Sequence, residues 1–502
     1  MSSIRRQSII SVGIIYVGFA IGLLNTYLFT REGGFTEGQY GLYGIFISIA
    51  NIMYSFANLG MQAYIYKFYP YYYENLPIKK NDMITWALLV SIMGFVLVTA
   101  GGFIFKDLVI RKFAANSAEL VKYYYWIFPL GFGLTIYSLL EAFSWQLKES
   151  VLTNYLREVQ WRLFTTVLII LYLARVLTGF DAFIKLFAFT YPLLALALLA
   201  YLVITKKIQF SLSPSRVTKK FLKKILTLAG FIWSGGLVYN IASFFAMIVI
   251  AAVVPEGLSY VGVYTLAQNI ASLIQAPQRG IISASLGPLS KAWKDKNYRK
   301  INHIYHRSSI NQLIFSTGMF VLIWINFTDG VFTFHLHTGY LQARYVFLFI
   351  GLMRIIDMGT GVNKEIIGTS TFWRFEFLTG IILLALTLPL NYILAKQIGV
   401  IGPAIADLFT FTLYNAVRFG FLYRKFNMQP FTIKSFFAIL AGLAGFLVCH
   451  FLFRAQHGFG WIALRSFVFV IIYLTCIVSM DLSPDVLPVW ETVKKRLMIK
   501  RV

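Results

Sequence analysis

The sequence predicts an all-α polytopic membrane protein with about fourteen transmembrane helices. Of its 502 residues, 58% are hydrophobic and only 13% are charged, whereas about a quarter of the residues in soluble domains are charged. Apolar runs of roughly 20 residues recur along the whole chain, and each is long enough to cross a hydrocarbon core of about 30 Å as a helix. These two observations exclude a soluble globular protein.

The apolar runs define the predicted spans in chain order, and the loops between them are too short to form domains. Arg5 and Arg6 lead directly into the first span without a small-residue cleavage site, so we expect a retained helix and not a signal peptide. We place the spans at residues 8–29, 40–66, 83–105, 120–141, 157–177, 181–204, 225–253, 259–286, 309–328, 342–363, 373–396, 400–423, 431–453 and 461–480.

The cationic residues lie mainly in loops on one side of these spans. Loop 206–224 contains seven lysines and arginines and no acid, and the C-terminal segment 494–501 carries five more. Loops 31–37 and 255–257, on the opposite side, are not basic. Because positive loops stay in the cytoplasm, both termini are predicted to be cytoplasmic. Membrane orientation therefore accounts for the net charge of +25, and we expect no nucleic-acid partner.

Two short sequences recur at one spacing, which indicates an internal repeat. Gly41-Leu-Tyr matches Gly262-Val-Tyr, and Leu186-Phe-Ala-Phe-Thr matches Leu408-Phe-Thr-Phe-Thr, at offsets of 221 and 222 residues. Six spans separate the copies, so the halves share one orientation in the membrane. Two pseudo-symmetric six-helix lobes are predicted at residues 1–205 and 225–425. A basic linker, residues 206–224, joins them, and residues 426–502 form two further spans and a basic tail.

Polar side chains inside a bilayer are costly and therefore point to function. In the second half, three spans each carry a polar stripe at helical spacing that includes an arginine. These stripes are Gln268, Ser272, Gln275 and Arg279 in the eighth span; Arg354, Asp357, Gly361 and Glu365 in the tenth; and Asp407, Thr410, Tyr414 and Arg418 in the twelfth.

The first half carries a neutral stripe instead, which includes Asn51 and Asn58 in the second span. We infer a wet cavity between the halves, cationic on one wall and lined by amides on the other. Arginine forks suit phosphate oxygens, and amides suit sugar hydroxyls. The substrate-binding residues we predict are Arg279, Arg354, Arg418, Gln268, Gln275, Asn51, Asn58, Asp357 and Tyr414.

Structural explanations compete with these assignments. Arg354 and Asp357 are three residues apart and could neutralise each other within one helix. Arg279 has no acid within one turn, and Pro277 beside it would bend the helix or serve packing alone. Lys185 and Asp407 occupy nearly equivalent repeat positions and could pair as an outer gate, although Lys185 could instead snorkel to the interface.

Several segments resemble a known family. Tyr40-Gly-Leu-Tyr, Ala57-Asn-Leu-Gly-Met and Lys67-Phe-Tyr-Pro are similar to the second helix of polysaccharide-biosynthesis flippases of the multidrug/oligosaccharidyl-lipid/polysaccharide superfamily. Pro288-Leu-Ser-Lys-Ala-Trp-Lys and Gly361-Val-Asn-Lys-Glu-Ile-Ile-Gly-Thr-Ser resemble its second-half patterns. The resemblance implies two lobes in a V shape, as in MATE transporters, plus two extra helices. It also implies translocation of an undecaprenyl-pyrophosphate-linked oligosaccharide to the periplasmic leaflet.

One segment departs from that family. Many relatives carry an acid in the seventh helix, where this chain reads Ser243-Phe-Phe-Ala-Met. The departure puts cation coupling through this helix in doubt. Coupling to a cation gradient, to the membrane potential or to consumption of product therefore stays open, and no cofactor is expected.

The leading functional hypothesis is a monomeric flippase of the bacterial inner membrane that acts on a lipid-linked oligosaccharide and contacts membrane lipids. No phosphate-binding Gly-x-x-x-x-Gly-Lys-Ser/Thr loop is present, which disfavours ATP hydrolysis. One alternative is an ion-coupled exporter of small molecules on the same fold, which would need a carboxylate deep in the first-half cavity. Another is a membrane polymerase or transferase that acts on lipid-linked sugars, which would need a large outer loop with clustered acid-base residues.

Overall fold

The computed structural model describes residues 3–453 and 456–485, and these residues form helices without an extended strand. Within this part of the chain, ten helices are long and apolar enough to cross a membrane. An eleventh span results if Thr338–Gly359 and Asn363–Thr369, which are bent by 47°, are counted as one. The predicted all-α, multi-span class is confirmed. The basic segment 494–501 lies outside the described residues.

The chain divides into two compact units, and the first covers Met1–Gly262. Thr36 and Gln39 form a capping box that begins its second helix, because each side chain bonds the other residue's backbone N–H. The helices of this unit, the last of which crosses its boundary, are α1 (Ser3–Thr30), α2 (Glu37–Ala57), α3 (Met61–Asn75), α4 (Met83–Ile104), α5 (Lys106–Phe113), α6 (Ala118–Lys122), α7 (Ile127–Gln146), α8 (Ser150–Asn154), α9 (Trp161–Leu173), α10 (Phe180–Ala188), α11 (Thr190–Ile204), α12 (Arg216–Val253) and α13 (Gly257–Ser272).

The second unit covers Val263–Val502. The Asn297 side chain caps its longest helix by accepting a hydrogen bond from the backbone N–H of Lys300 at 3.0 Å. The helices after α13 are α14 (Gln278–Lys294), α15 (Tyr298–Thr333), α16 (Ala343–Gly359), α17 (Asn363–Thr369), α18 (Trp373–Ile398), α19 (Ile401–Phe426), α20 (Ile433–Leu452) and α21 (Phe459–Ser479).

Besides the bent pair, three of the predicted spans coincide with helices that do not by themselves meet the length and hydropathy expected of a span. Span 157–177 begins in a π-helix, Tyr155–Gln160, and continues as the 13-residue α9. Span 259–286 is divided between α13 and α14, and span 400–423 is α19, which carries a polar face. Buried charges and helix breaks lower the apolar signal of these segments, and such features are tolerated where helices face protein or water.

The two glycines that begin the repeated motif lie against each other. A Cβ atom on Gly41 of α2 would be 1.8 Å from the backbone oxygen of Leu258, and one on Gly262 of α13 would be 2.3 Å from the oxygen of Glu37. Real Cβ atoms do not approach a backbone oxygen so closely. The backbones of α2 and α13 are therefore in direct contact, and only glycine permits that contact.

Helix α12 packs against α2 and α3 in the first unit. The Tyr72 and Thr218 hydroxyls are 2.7 Å apart, and the Trp233 indole N–H donates to the backbone oxygen of Ser55 at 2.8 Å. The repeat alone predicts that this helix belongs to the second lobe. The division into two six-helix lobes stays a prediction.

The segment after α21 is attached to α15 through Asp485. Its carboxylate accepts hydrogen bonds from the Arg307 guanidinium, with Nε at 2.8 Å, and from the Asn311 amide. The hydrogen bond from Arg307 is the main cause that lowers the pKa of Asp485. A carboxylate with a lowered folded-state pKa stabilises the fold above its unfolded pKa, and this contribution is lost as the pH falls through the folded-state value.

Asp485→Asn is therefore expected to lower the melting temperature at pH 7 and to have less effect as the pH falls below about 4, the ordinary carboxyl pKa. Thermal unfolding of purified protein across a pH series would measure both effects. The control is Asp481→Asn, which removes a more exposed carboxylate that pairs with Lys434 at 3.2 Å. An Asp485→Asn defect of equal size at pH 3 and pH 7 would contradict this account.

Candidate functional site

Helix α19 presents one buried polar face to its neighbours in the second unit. Asp407, Thr410, Tyr414 and Arg418 are all buried on this face, as is Asn415. The first four of these residues are spaced by three or four, so a single stripe of the helix carries them. The predicted twelfth-span stripe thus faces protein and not lipid, and its partners decide what each side chain can do.

Arg418 is only 2% exposed and forms a salt bridge with Glu376 on α18. Its guanidinium also donates to the Tyr414 hydroxyl and stacks over the Tyr414 ring, 3.5 Å from the centroid. Tyr414 in turn donates to Glu376 at 3.2 Å. The prediction that Arg418 binds substrate is untested, but a buried pair that neutralises its charge favours a structural or positioning role.

A second network centres on Asp357 of α16. The side-chain amides of Gln278 on α14 and Asn415 on α19 each donate to its carboxylate at 3.1 Å. Gln275 donates to Gln278 at 3.1 Å, and Asn363 on α17 donates to Asn415 at 3.0 Å. Amide donors, rather than an arginine, therefore stabilise this intramembrane carboxylate and connect four helices of the second unit.

Arg354 lies one helical turn before Asp357 but does not form the intrahelical salt bridge that the spacing allowed. Its side chain is half-buried, and its Nε atom is buried without a hydrogen-bond partner. It interacts electrostatically with Asp407, but no salt bridge joins them among the described residues. Arg354 is thus an intramembrane cation whose hydrogen-bonding capacity is not used within this part of the chain.

The predicted eighth span is interrupted before Arg279. Helix α13 ends at Ser272, backbone bonds of the i to i−3 type join residues 270–276, and α14 begins beyond Pro277. The prediction of one continuous polar stripe in this span is therefore wrong. A tightened turn changes the angle about the helix axis between the residues before and after it. Gln268 is half-buried on α13, Gln275 lies in the turn, and Arg279 is exposed at the start of α14.

The two residues of the predicted outer gate have other partners. Lys185 forms a salt bridge with Asp181 on its own helix at 2.6 Å. Asp407 accepts hydrogen bonds from the Tyr264 hydroxyl and the Asn391 amide, both at 3.1 Å. Each charge is thus accommodated within its own unit, and the pairing of Lys185 with Asp407 stays a prediction.

The amides of the first half lie within α2 and directly after it. Asn51 is half-buried and donates to the backbone oxygen of Ile47 at 2.8 Å. Asn58 caps the helix and donates to the Tyr54 hydroxyl at 3.4 Å, and Tyr54 donates to Gln62 at 2.7 Å. These residues form a neutral polar group inside the first unit, as their types suggested.

Two charged residues that form ion pairs with buried partners, Glu376 and Arg157, were not predicted from the sequence. Glu376 lies in the predicted eleventh span, and an acid within an apolar run was the available signal for it. Arg157 lies in a π-helical segment and forms a salt bridge with the buried Glu141 at 2.9 Å. Such segments are frequent at functional sites, but no sequence pattern marks this one.

No protein-family model matches the chain, and no curated protein matches its sequence. Comparison of structures does find proteins with a similar fold. At 16–17% identity these solved structures show the fold alone, and this chain shares their all-helical fold.

One of these structures is a lipid II flippase, MurJ, in an inward closed conformation, with a TM-score of 0.73 and 17% identity over 94% of this chain and 99% of that one. Another is an inward-facing multidrug resistance MATE family transporter, with a TM-score of 0.61 and 16% identity over 89% and 99%. A MOP superfamily transporter from Pyrococcus furiosus, whose binding pocket is described as reversed in polarity, scores 0.52 at 16% identity over 88% and 96%.

Proposed function

We propose that this chain is a flippase that moves an undecaprenyl-pyrophosphate-linked oligosaccharide from the cytoplasmic to the periplasmic leaflet of a bacterial inner membrane. Both termini lie in the cytoplasm, and the chain works as a monomer. A cation gradient, the membrane potential or consumption of the product drives the cycle. The fold shared with a lipid II flippase supports a lipid-linked cargo, and the intramembrane arginines support an anionic one.

The environment of Arg354 is the observation that carries the proposal. An arginine within a bent membrane span is costly unless a partner balances its charge. Arg354 has a buried Nε without a hydrogen-bond partner and no salt bridge among the described residues. An anionic ligand would supply what this side chain lacks, and the guanidinium fork matches the oxygens of a phosphate group.

The surrounding residues act in two groups. Arg279, at the start of α14, and Arg354 contact the pyrophosphate, whereas Arg418 positions Tyr414 through its bond with Glu376. Gln268, Gln275 and Asp357 belong to the amide-rich surroundings, and Asn51 and Asn58 contact sugar hydroxyls. Transporters commonly bind substrate at discontinuous helices, and the breaks between α13 and α14 and between α16 and α17 support this arrangement.

Translocation follows from alternating access. The polar head enters a water-filled site, the arginines replace the water that solvated its phosphates, and the lipid tail stays in the bilayer. Rocking of the two repeats then exposes the site to the opposite side. Because the same charged contacts stabilise the head in both orientations, the pyrophosphate does not need to enter the hydrocarbon core.

Arg354→Gln tests this function. Losing a charged hydrogen-bond partner is expected to weaken binding of the lipid-linked substrate by about 10- to 100-fold. Mass spectrometry of lipid-linked saccharides in cells that lack the native protein should then show a completed undecaprenyl-pyrophosphate oligosaccharide accumulating with the variant but not with the wild type.

Arg344→Gln is the matched control, since Arg344 lies at the start of the same helix. Its Nε is likewise buried without a hydrogen-bond partner, but its guanidinium stacks over Trp324, 4.5 Å from the ring centroid. It should support a normal lipid profile. If cells without any copy of the protein show an unchanged lipid profile, the flippase proposal fails. Drug-uptake assays would then test the exporter alternative.

A further inference from the structure

A cavity of about 440 Å³ lies within the first unit, where the end of α2 and the start of α3 face α12. Its volume is within the range of small-molecule sites. Aromatic and amide side chains from all three helices line it, together with one lysine. These residues are Tyr54, Asn58, Gln62, Tyr66, Lys67, Trp233 and Asn240.

A break between α2 and α3 shapes this cavity. Leu59 and Gly60 have φ angles of 45° and 75°, in the left-handed region. A Cβ atom on Gly60 would be 2.2 Å from the backbone oxygen of Ala229 on α12, so the turn is pressed directly against that helix. The break places Asn58 and Gln62 on either side of the turn, and both amides line the cavity.

The polar groups of the cavity are fixed in place without being saturated. The Gln62 amide donates to the backbone oxygen of Ser138 at 2.9 Å, and the Asn240 amide donates to the Ser55 hydroxyl at 2.8 Å. Each primary amide has two N–H donors and an oxygen with two lone pairs, so these bonds leave capacity for a ligand. The Trp233 N–H is bound to Ser55, which fixes the indole ring that lines the cavity.

Lys67 is the single charged residue among those that line the cavity. It is exposed and makes no ion pair within the described ranges of the chain. Aromatic rings suit the C–H faces of a sugar, amides suit its hydroxyls, and an ammonium group suits a carboxylate. The combination therefore selects for a ring that is both hydroxylated and acidic.

We propose that this cavity binds a pyranose ring that carries a carboxylate. The ring lies on Trp233 and Tyr66, its hydroxyls bond Asn58, Gln62 and Asn240, and its carboxylate faces Lys67. This inference rests on the proposed function, since the sugar is part of the translocated oligosaccharide. It adds the chemical class of that sugar and a site distinct from the arginines of the second unit.

Gly236→Leu tests the cavity directly. Gly236 lines the cavity, and a Cβ atom built on it meets nothing within 4 Å, so a leucine side chain would occupy the ligand's space without a clash. Gly230→Leu is the matched control, because Gly230 is also on α12 with open space around its Cβ but does not line the cavity. Both changes place a strong helix former in a helix, so folding should be retained.

Binding of free glucuronate and free glucose would be measured by saturation-transfer NMR on full-length protein in phosphatidylcholine/phosphatidylglycerol nanodiscs. Wild type and Gly230→Leu should bind glucuronate at least tenfold more tightly than glucose, and Gly236→Leu should bind neither. Lys67→Gln should bind both sugars with equal, weak affinity. Absence of binding by wild type, or retained binding by Gly236→Leu, would overturn the site; an unchanged preference in Lys67→Gln would overturn the acidic sugar.

These outcomes are separable from those of the flippase test. If Gly236→Leu abolishes sugar binding while deletion of the protein leaves the lipid profile unchanged, the cavity stands and the flippase proposal fails. If deletion causes lipid-linked saccharides to accumulate and Gly236→Leu complements as well as wild type, the flippase stands and the cavity has no part in it.

Discussion

Arg418→Met is expected to destabilise the folded protein by about 3–5 kcal/mol, because it removes one partner of a buried ion pair. The side chain of Glu376 is 18% exposed, and its Oε2 atom is already buried without a hydrogen-bond partner. Without Arg418, the carboxylate would have to stay charged and unpaired or take up a proton. Thermal unfolding of detergent-solubilised protein would measure the loss.

The double variant Arg418→Met/Glu376→Met provides the control for this prediction. Replacing both members of a buried pair by apolar side chains of similar volume is often neutral or stabilising. The double variant should therefore be more stable than Arg418→Met alone. If the loss of stability in the double variant equals the sum of the losses in Arg418→Met and Glu376→Met, the two side chains do not act as a pair.

Gly41→Ala is expected to prevent most of the protein from folding, since its new methyl group would overlap a backbone oxygen. The nearest obstacle, the oxygen of Leu258 at 1.8 Å, belongs to a helix backbone and cannot rotate away as a side chain could. Overpacking usually costs about 1–3 kcal/mol and more where the backbone must move. The yield of monodisperse protein and its melting temperature would both fall.

Gly38→Ala is the matched control, because Gly38 lies on the same helix one turn earlier and its nearest neighbour would be 3.6 Å from the new Cβ. That distance is ordinary van der Waals contact, and alanine is the better helix former. Equal stability of the Gly38→Ala and Gly41→Ala variants would mean that α2 and α13 are not in direct backbone contact.

Much of the fold was predictable because membrane insertion imposes a simple rule on the sequence. A helix must offer about 20 apolar residues to cross the bilayer, so hydropathy alone located the helical segments. The same rule made polar residues conspicuous, and the stripe on α19 was found in this way. Gly41 and Gly262 were found only as repeated letters, and their mutual contact explains why glycine occupies both positions.

The partners of the polar residues were far less predictable. The spacing of Arg354 and Asp357 suggested an ion pair, but Asp357 bonds the amides of Gln278 and Asn415, which are 79 and 58 residues away in the chain. Lys185, considered as a gate to Asp407, bonds Asp181 on its own helix. Several acids and amides along the chain were possible partners for each charged residue. Sequence spacing distinguishes only the partners that lie on the same helix.

The sequence by itself determined that this protein crosses a membrane many times, where its helices lie and which of them carry polar groups, because the energy of burying a side chain in hydrocarbon depends mainly on its chemistry. Only the tertiary structure decided that Glu376 neutralises Arg418, that Arg354 keeps a buried Nε without a hydrogen-bond partner, and that a cavity opens between α2, α3 and α12. These features depend on distances of a few ångströms between distant parts of the chain, and helix breaks and packing set those distances.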